Sequence, residues 1–215
     1  MKTINTAGGR KRLGRLITRI RQKSANNQTF DLVVRAHNKV NHMSKEGLAK
    51  FVGEKKVLFG RLEKVVSNIL LEATASFGTR GFFKTKSEGG VFAYVDSDIF
   101  DWFDDQVGNS PAKKLASYEF TEDITEESII SDAKTGGVYE EVDLAHVKQV
   151  CERHIVKGEK LLNEEGKANL FWVRNKNGEL CKVDVWLDVH GWDVGVSRFD
   201  PTDGWRAGNR SFFRN

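Results

Sequence analysis

Proline is nearly absent, with only two residues in a chain of 215. There is no low-complexity run either, which argues against long disordered linkers. Cysteine is equally scarce: Cys151 and Cys181 are the only two. Neither lies in a Cys-x-x-Cys pair, so neither a zinc ribbon nor a thioredoxin-like site is supported. A disulfide between them is open in principle, but two thiols of this kind read as reduced core residues. Long apolar runs are missing. Stretches such as Ile69-Leu70-Leu71 fall far short of the roughly 18 residues that a membrane span needs, and no membrane partner is expected. Met1–Gly9 is polar and is followed by basic residues, unlike a signal peptide, so a cytoplasmic location is expected.

The usual chemical signatures are also lacking. No phosphate-cradling Gly-x-x-x-x-Gly-Lys-[Ser/Thr], no Rossmann Gly-x-Gly-x-x-Gly, no His-Glu-x-x-His and no Gly-x-Ser-x-Gly occurs. His37 and His42 are five apart, not the four that place two ligands on one helical face. Asp101, Asp104 and Asp105 lack the Asp-x-Asp order and central glycine of a calcium loop. Cys151 and His154, three apart, fit two packed core residues better than a nucleophile and its base. Asp184, Asp188, His190 and Asp193 form the one group that could feed acid–base or metal chemistry, yet the composition of a turn accounts for the same residues. The expectation is a non-enzymatic protein with no cofactor and no bound metal.

What the chain does have is a strong charge asymmetry beneath a net charge of +4. Residues 1–72 hold 16 Lys/Arg against 5 Asp/Glu, residues 73–166 hold 10 against 19, and residues 167–215 hold 8 against 6. A basic head and an acidic middle fit a polyanionic partner, and they equally fit attraction within the chain. In the head, Arg10, Lys11, Arg12, Arg15, Arg19, Arg21 and Lys23 surround Leu13, Leu16, Ile17 and Ile20, a spacing that predicts a basic amphipathic helix. Contact of these seven residues with nucleic-acid phosphates is one reading; a solvated helix docked by its apolar face is the other.

Periodicity makes the N-terminal two-thirds helical. A helix is expected over about 54–76 from Val57, Leu58, Leu62, Val65, Val66, Ile69, Leu70 and Ala73, ending at Gly78 and Gly81. Gly81–Lys86 and Val91–Val95 flank Ser87-Glu88-Gly89-Gly90 as a β-hairpin. Ser97 caps a short acidic helix over Asp98–Gln106, and Ser110-Pro111 opens another helix. Glu119–Ser131 reads as turn and short strand. Asp143 reads as the N-cap of a second clear helix that reaches about Glu165, with Leu144, Val147, Val150, Cys151, His154 and Ile155 on its stripe.

Three consecutive strands follow, at Ala168–Arg174, Leu180–Leu187 and Trp192–Phe199, with Asn177-Gly178 and His190-Gly191 as turns. Cys181, Val183, Val185 and Leu187 share one face with Trp192, Val194 and Val196; Lys182, Asp184, Asp193, Gly195 and Ser197 point the other way, toward water. The overall expectation is an α+β fold, helical in its first two-thirds with a β-hairpin and closed by a C-terminal antiparallel sheet. A basic helical segment would span 1–76 and an α+β domain 77–215, its sheet at 168–215. Trp192, Asp193, Ser197, Asp203, Trp205, Arg206, Asn209 and Arg210 combine aromatic anchors with adaptable polar groups, the mixture of a surface that binds another protein or a ligand.

Ala168–Arg174, Asn177–Leu180, Val183-Asp184-Val185, Gly191–Val194 and the ending Gly204–Asn215 resemble the C-terminal part of a group of uncharacterised bacterial proteins found largely in candidate-phylum genomes. Ser211 departs from that pattern, in which an aliphatic residue precedes the phenylalanine. In the group the tail frame stays while small polar, Tyr, Arg and Gly residues interchange between the aromatics. This resembles the variable region of proteins diversified by a retroelement. The resemblance implies exchange at Asp193, Gly195, Ser197, Thr202, Asp203, Arg206, Ala207 and Asn209. A C-type-lectin fold, frequent among such proteins, is not evident in the sequence.

Overall fold

The expected helix over 54–76 is a strand for most of its length. A computed structural model of the chain describes residues 58–215, which belong to one compact unit, Lys56–Asn215. The basic segment Arg10–Lys23 and the pair His37 and His42 lie outside the described residues.

β1 (Leu58–Phe59) and β2 (Leu62–Leu71) lead into an eight-stranded sheet, so residues 58–71 are built into the same unit as the C-terminal strands. The spacing misled for a physical reason. β2 carries two bulges against its neighbour, between Lys64 and Val66 and between Val66 and Ile69, and Asn68 takes a left-handed φ of 59°. Each bulge inserts a residue and flips the alternation. Leu62 therefore packs on one side of the sheet, while Val66, Ile69 and Leu71 pack on the other. The interrupted period leaves gaps of three and four that mimic a helix.

The other expected helices are corrected in similar ways. β3 (Phe77–Gly78) leads into α1 (Thr79–Phe82), and the hairpin expected over Gly81–Val95 is instead the end of α1, a single 3-10 turn at Lys86–Glu88 and β4 (Phe92–Val95). Thr85 and Glu88 close that turn with a capping box. β4 pairs in parallel with a distant strand rather than folding back on its neighbour. The acidic helix α2 spans only Asp98–Trp102 and is followed by β5 (Gln106–Val107). After Pro111 the chain forms β6 (Lys113–Phe120), not a helix, because Leu115, Ala116, Tyr118 and Phe120 are all buried between sheet neighbours. β7 (Ile124–Thr125) precedes α3 (Glu126–Thr135), where turn and strand were expected; Thr125 caps it by accepting from the Ser128 N–H at 3.3 Å. α4 runs from Leu144 to Cys151 with Asp143 as its cap, as expected, then loosens into a π-helical turn at Glu152–Val156 and ends well short of Glu165.

β8 (Asn169–Arg174), β9 (Leu180–Leu187) and β10 (Trp192–Arg198) form the expected antiparallel run. β11 (Gly204–Trp205) pairs with β7, and β12 (Arg210–Arg214) closes the set. The main sheet runs β1-β2-β6-β12-β8-β9-β10-β4 and is mixed, since β12 is parallel to β8 and β10 to β4. The described unit is thus a two-faced mixed sheet with short helices, not a helical body with a sheet appended. α4 and the segment Phe83–Phe103 contribute Val147, Val150, Phe83 and Ile99 to a core on one face. α3 with Phe199 and Trp205 covers Tyr118, Leu170, Trp172 and Phe213 on the other. Burial on both faces is the reason β8 reads as an unbroken apolar run.

Candidate functional site

The second face is where the chemistry gathers, and it has a covered half and an outer half. In the covered half, Lys182 points from β9 beneath α3 and is 4% exposed. Its ammonium bonds Glu126, itself fully buried, and Asp203 at 2.9 Å. Glu126 collects three further groups. Its Oε1 accepts from Trp205 Nε1 at 3.1 Å, its Oε2 accepts the Asp200 N–H at 2.9 Å, and its own N–H donates to the Asp203 carbonyl at 3.0 Å. The Lys182 ammonium also lies 5.1 Å from the centroid of the Trp205 ring. Burial draws the Lys182 ammonium down, but its hydrogen bonds to Glu126 and Asp203 outweigh that and leave it raised. This set of bonds holds segment 199–206 against the sheet.

The outer half carries β9, β10 and β4 residues beyond the edge of that core, which includes no residue of β10 or β4. Across the strands Asp193 faces Trp186 and Tyr94, and Gly195 faces Asp184. The Asp184 carboxylate and the Trp186 ring converge over Gly195: a Cβ there would stand 3.1 Å from Asp184 Oδ1 and 3.2 Å from Trp186 Cζ3. Burial, and to a lesser degree Asp96 and Glu126, push the Asp184 carboxyl up to about 6 against the pull of Lys182. The Asp193 carboxyl is raised as well, by burial and then by Asp188. Asp193 is 9% exposed and its Oδ1 has no hydrogen-bond partner among the described residues.

The eight residues expected to bind do not form one surface. Trp192 turns to the first face, where its ring stands edge-on to His154 with centroids 4.9 Å apart. Asp193 lies on the outer half of the second face and Ser197, opposite Lys182, at the border between the two halves, while Asp203 and Trp205 belong to the Lys182–Glu126 group. Asn209 is buried and fully used: its Oδ1 accepts the Ala168 N–H at 2.7 Å and its Nδ2 donates to the Arg206 carbonyl at 2.8 Å. Arg210 is tied to Glu119 on the neighbouring strand at 3.0 Å. Arg206 is exposed.

Asp188, His190 and Asp193 do not assemble with Asp184 into a metal centre, and no group of three His, Cys, Asp or Glu side chains able to hold a metal occurs among the described residues. Asp188 serves the turn instead, its Oδ1 accepting the N–H groups of His190 and Gly191 at 2.7 and 3.0 Å. Cys151 and Cys181 are free and buried, and burial raises both thiols. A cleft of about 250 Å³ lies between Phe103, Asn109, Leu144 and Arg174, but Arg174 is engaged by Glu141 and the α4 terminus is closed by its own cap.

Glu126, Trp186 and Tyr94 escaped the sequence reading. Tyr94 and Glu126 are far from β9 in the chain, and only the fold brings them near. Lys182 did carry a signal, as a single cation set between Cys181 and Val183 in a strand whose neighbours are apolar on both sides. Among the described residues, no helix is long and apolar enough to cross a membrane. Compared with protein-family models, with curated proteins and with solved structures, the chain matches none.

Proposed function

We propose that this chain is a non-enzymatic binding protein and that its contact surface is the outer half of the second face, formed by Tyr94, Asp184, Trp186 and Asp193 with Ser197 at its border. The single observation that carries this reading is Asp193, a nearly buried carboxylate with an orphan oxygen set between two aromatic side chains. An unpaired buried oxygen costs about 1–3 kcal/mol, and a carboxylate perturbed in this way beside an exposed aromatic ring, Tyr94, is the pattern of a contact site. Segment 199–206, fixed through Glu126, gives the surface a rigid border, and Arg206 on it is available for contact. A protein partner suits a shallow face better than a small molecule, and the two free thiols fit a reducing compartment such as the cytoplasm.

The test is affinity capture with the full chain and with Tyr94→Ala and Trp186→Ala variants of unchanged thermal stability. A partner held by the wild type and lost by both variants supports the reading. Equal retention by all three sinks it. If the resemblance to retroelement-diversified proteins carries over, sequencing the gene's 3′ end across its source population will find substitutions at Asp193, Ser197, Thr202, Asp203, Arg206 and Ala207. Gly195 and Asn209 will be held, because the structure occupies them.

A second reading rests on the basic head. Arg10, Lys11, Arg12, Arg15, Arg19, Arg21 and Lys23 could neutralise phosphates of a nucleic acid. Affinity that falls steeply with salt and disappears on deleting residues 1–23 supports it; binding indifferent to salt excludes it.

A further inference from the structure

The cleft of about 250 Å³ opens at the margin of the first-face core, on the opposite side of the sheet from the proposed contact surface. Its floor is apolar: Phe103, Leu144 and Val173 are buried members of that core. Ser110 is set into its wall and is only 4% exposed. The Ser110 N–H and carbonyl are both spent on Thr74, at 3.2 and 2.9 Å, but its hydroxyl makes no hydrogen bond among the described residues. Thr74, which faces it across that bridge, does not take it up, since Thr74 Oγ1 is unpaired as well. Asn109 accepts the Ser76 N–H on Oδ1 at 2.9 Å and leaves its Nδ2 free among the described residues. The rim carries both signs. Asp104 and Lys176 are exposed there, and neither forms an ion pair among the described residues. The Lys176 N–H donates to the Trp102 carbonyl at 2.9 Å, which brings the two segments and their opposite charges to the same rim.

The contents of the rim narrow the ligand. A simple anion finds Arg174 already held by Glu141 at 2.7 Å, and the Asp143 carboxylate that caps α4 repels it. A simple cation meets Lys176, and the side chains do not assemble a metal-binding group. A purely apolar molecule would leave the Ser110 hydroxyl unpaired. The volume lies below the roughly 300–1,000 Å³ of pockets for drug-sized ligands, so the occupant is small. A small zwitterion with a hydrocarbon portion answers the floor, the hydroxyl and both charges together. We propose that this cleft binds a free α-amino acid with an apolar side chain. Its carboxylate meets Lys176 and the Ser110 hydroxyl, its ammonium meets Asp104, and its side chain lies on Phe103, Leu144 and Val173. The site is separate from the contact surface proposed above, so either can fail without the other.

The probes are leucine and phenylalanine, titrated into the full-length chain and followed by backbone NMR shifts. N-acetyl-leucine, leucinamide and glycine serve as controls that lack the ammonium, the carboxylate and the side chain in turn. The expected result is saturable movement of the Phe103, Asn109, Ser110, Leu144 and Lys176 signals with at least one of the two amino acids. Each control should bind at least about tenfold more weakly than leucine or phenylalanine, whichever binds better. Lys176→Ala and Asp104→Asn alter exposed side chains and should leave the fold intact. Lys176→Ala is expected to remove the preference for leucine over leucinamide, and Asp104→Asn the preference for leucine over N-acetyl-leucine. Ser110→Ala deletes an unpaired hydroxyl, should fold as stably, and should weaken binding about fivefold. No saturable shift with either amino acid up to its solubility would overturn the assignment, as would shifts confined to other parts of the chain. Controls that bind as well as the amino acids, or preferences unchanged in Lys176→Ala and Asp104→Asn, would overturn it equally.

Discussion

Lys182 and Glu126, 56 positions apart in the chain, meet as a buried ion pair between β9 and α3. Removing one partner leaves an uncompensated charge with Trp205, Asp200 and Asp203 still organised around it. Lys182→Met or Glu126→Gln is expected to destabilise the fold by about 3–5 kcal/mol, while the double variant loses clearly less. Urea unfolding of the three variants checks this. Equal losses for single and double variants would argue against the pair.

Asp184 works in the opposite direction. Its folded-state carboxyl, pushed up to about 6, lies above the ordinary value of 3.8. The stability it contributes is fully present below 3.8 and is lost as pH rises through about 6. Asp184→Asn should therefore stabilise the protein at pH 7 by about 1–3 kcal/mol and give little gain near pH 4. Denaturant midpoints at the two pH values measure the difference.

His154 gives a separate pH signature. Its Nδ1 accepts the Leu161 and Leu162 N–H groups at 3.1 and 3.2 Å, so the neutral ring carries its proton on Nε2, 3.2 Å from Glu164. Burial lowers the imidazole below 6.5, with Glu164 opposing. That stability is present above pH 6.5 and is lost as pH falls through the folded value. Protonation of Nδ1 would break both backbone bonds. Protection of the Leu161 and Leu162 amides, taken relative to their intrinsic exchange at each pH, should fall as pH drops below 6.5 and before global unfolding, and His154 should titrate below a free histidine by NMR.

The tail separates contact from support. Arg206→Ala should leave stability within about 0.5 kcal/mol, whereas Asn209→Ala, which orphans the Ala168 N–H, should cost about 1–3 kcal/mol. Ser211→Val is a third case. Ser211 Oγ accepts from Trp172 Nε1 at 2.8 Å, so the aliphatic residue expected by resemblance would strand a buried indole N–H. A cost similar to that of Asn209→Ala is expected from thermal melts.

β8, β9 and β10 were legible because two turns bracket them and β9 alternates cleanly. β2 and β6 were not. β2 hides its alternation behind bulges at Val66, and β6 carries buried side chains toward both faces, so neither shows a period of two. α3 was missed because its short apolar set, Ile129, Ile130 and Ala133, follows an acidic first turn that resembles a loop. At the site, Asp193 and Ser197 could be picked out as face residues, but not their partners. Asp193 meets Tyr94 through a parallel crossover pairing, which leaves no local trace in the sequence.

β12 is the last strand in chain order yet lies in the middle of the sheet, between β6 and β8. Until residues 210–214 are available, β1-β2-β6 and β8-β9-β10-β4 are two separate ribbons, each with an open backbone edge. A chain made from its N-terminus therefore waits with β6 and β8 unpaired, the condition in which strands recruit neighbouring chains. Joining the two ribbons falls to Arg210–Arg214, whose Phe212 and Phe213 then seal opposite sides at once. In synthesis, the same short segment would act as the closing clasp and set the interval during which the protein is most exposed to misassembly.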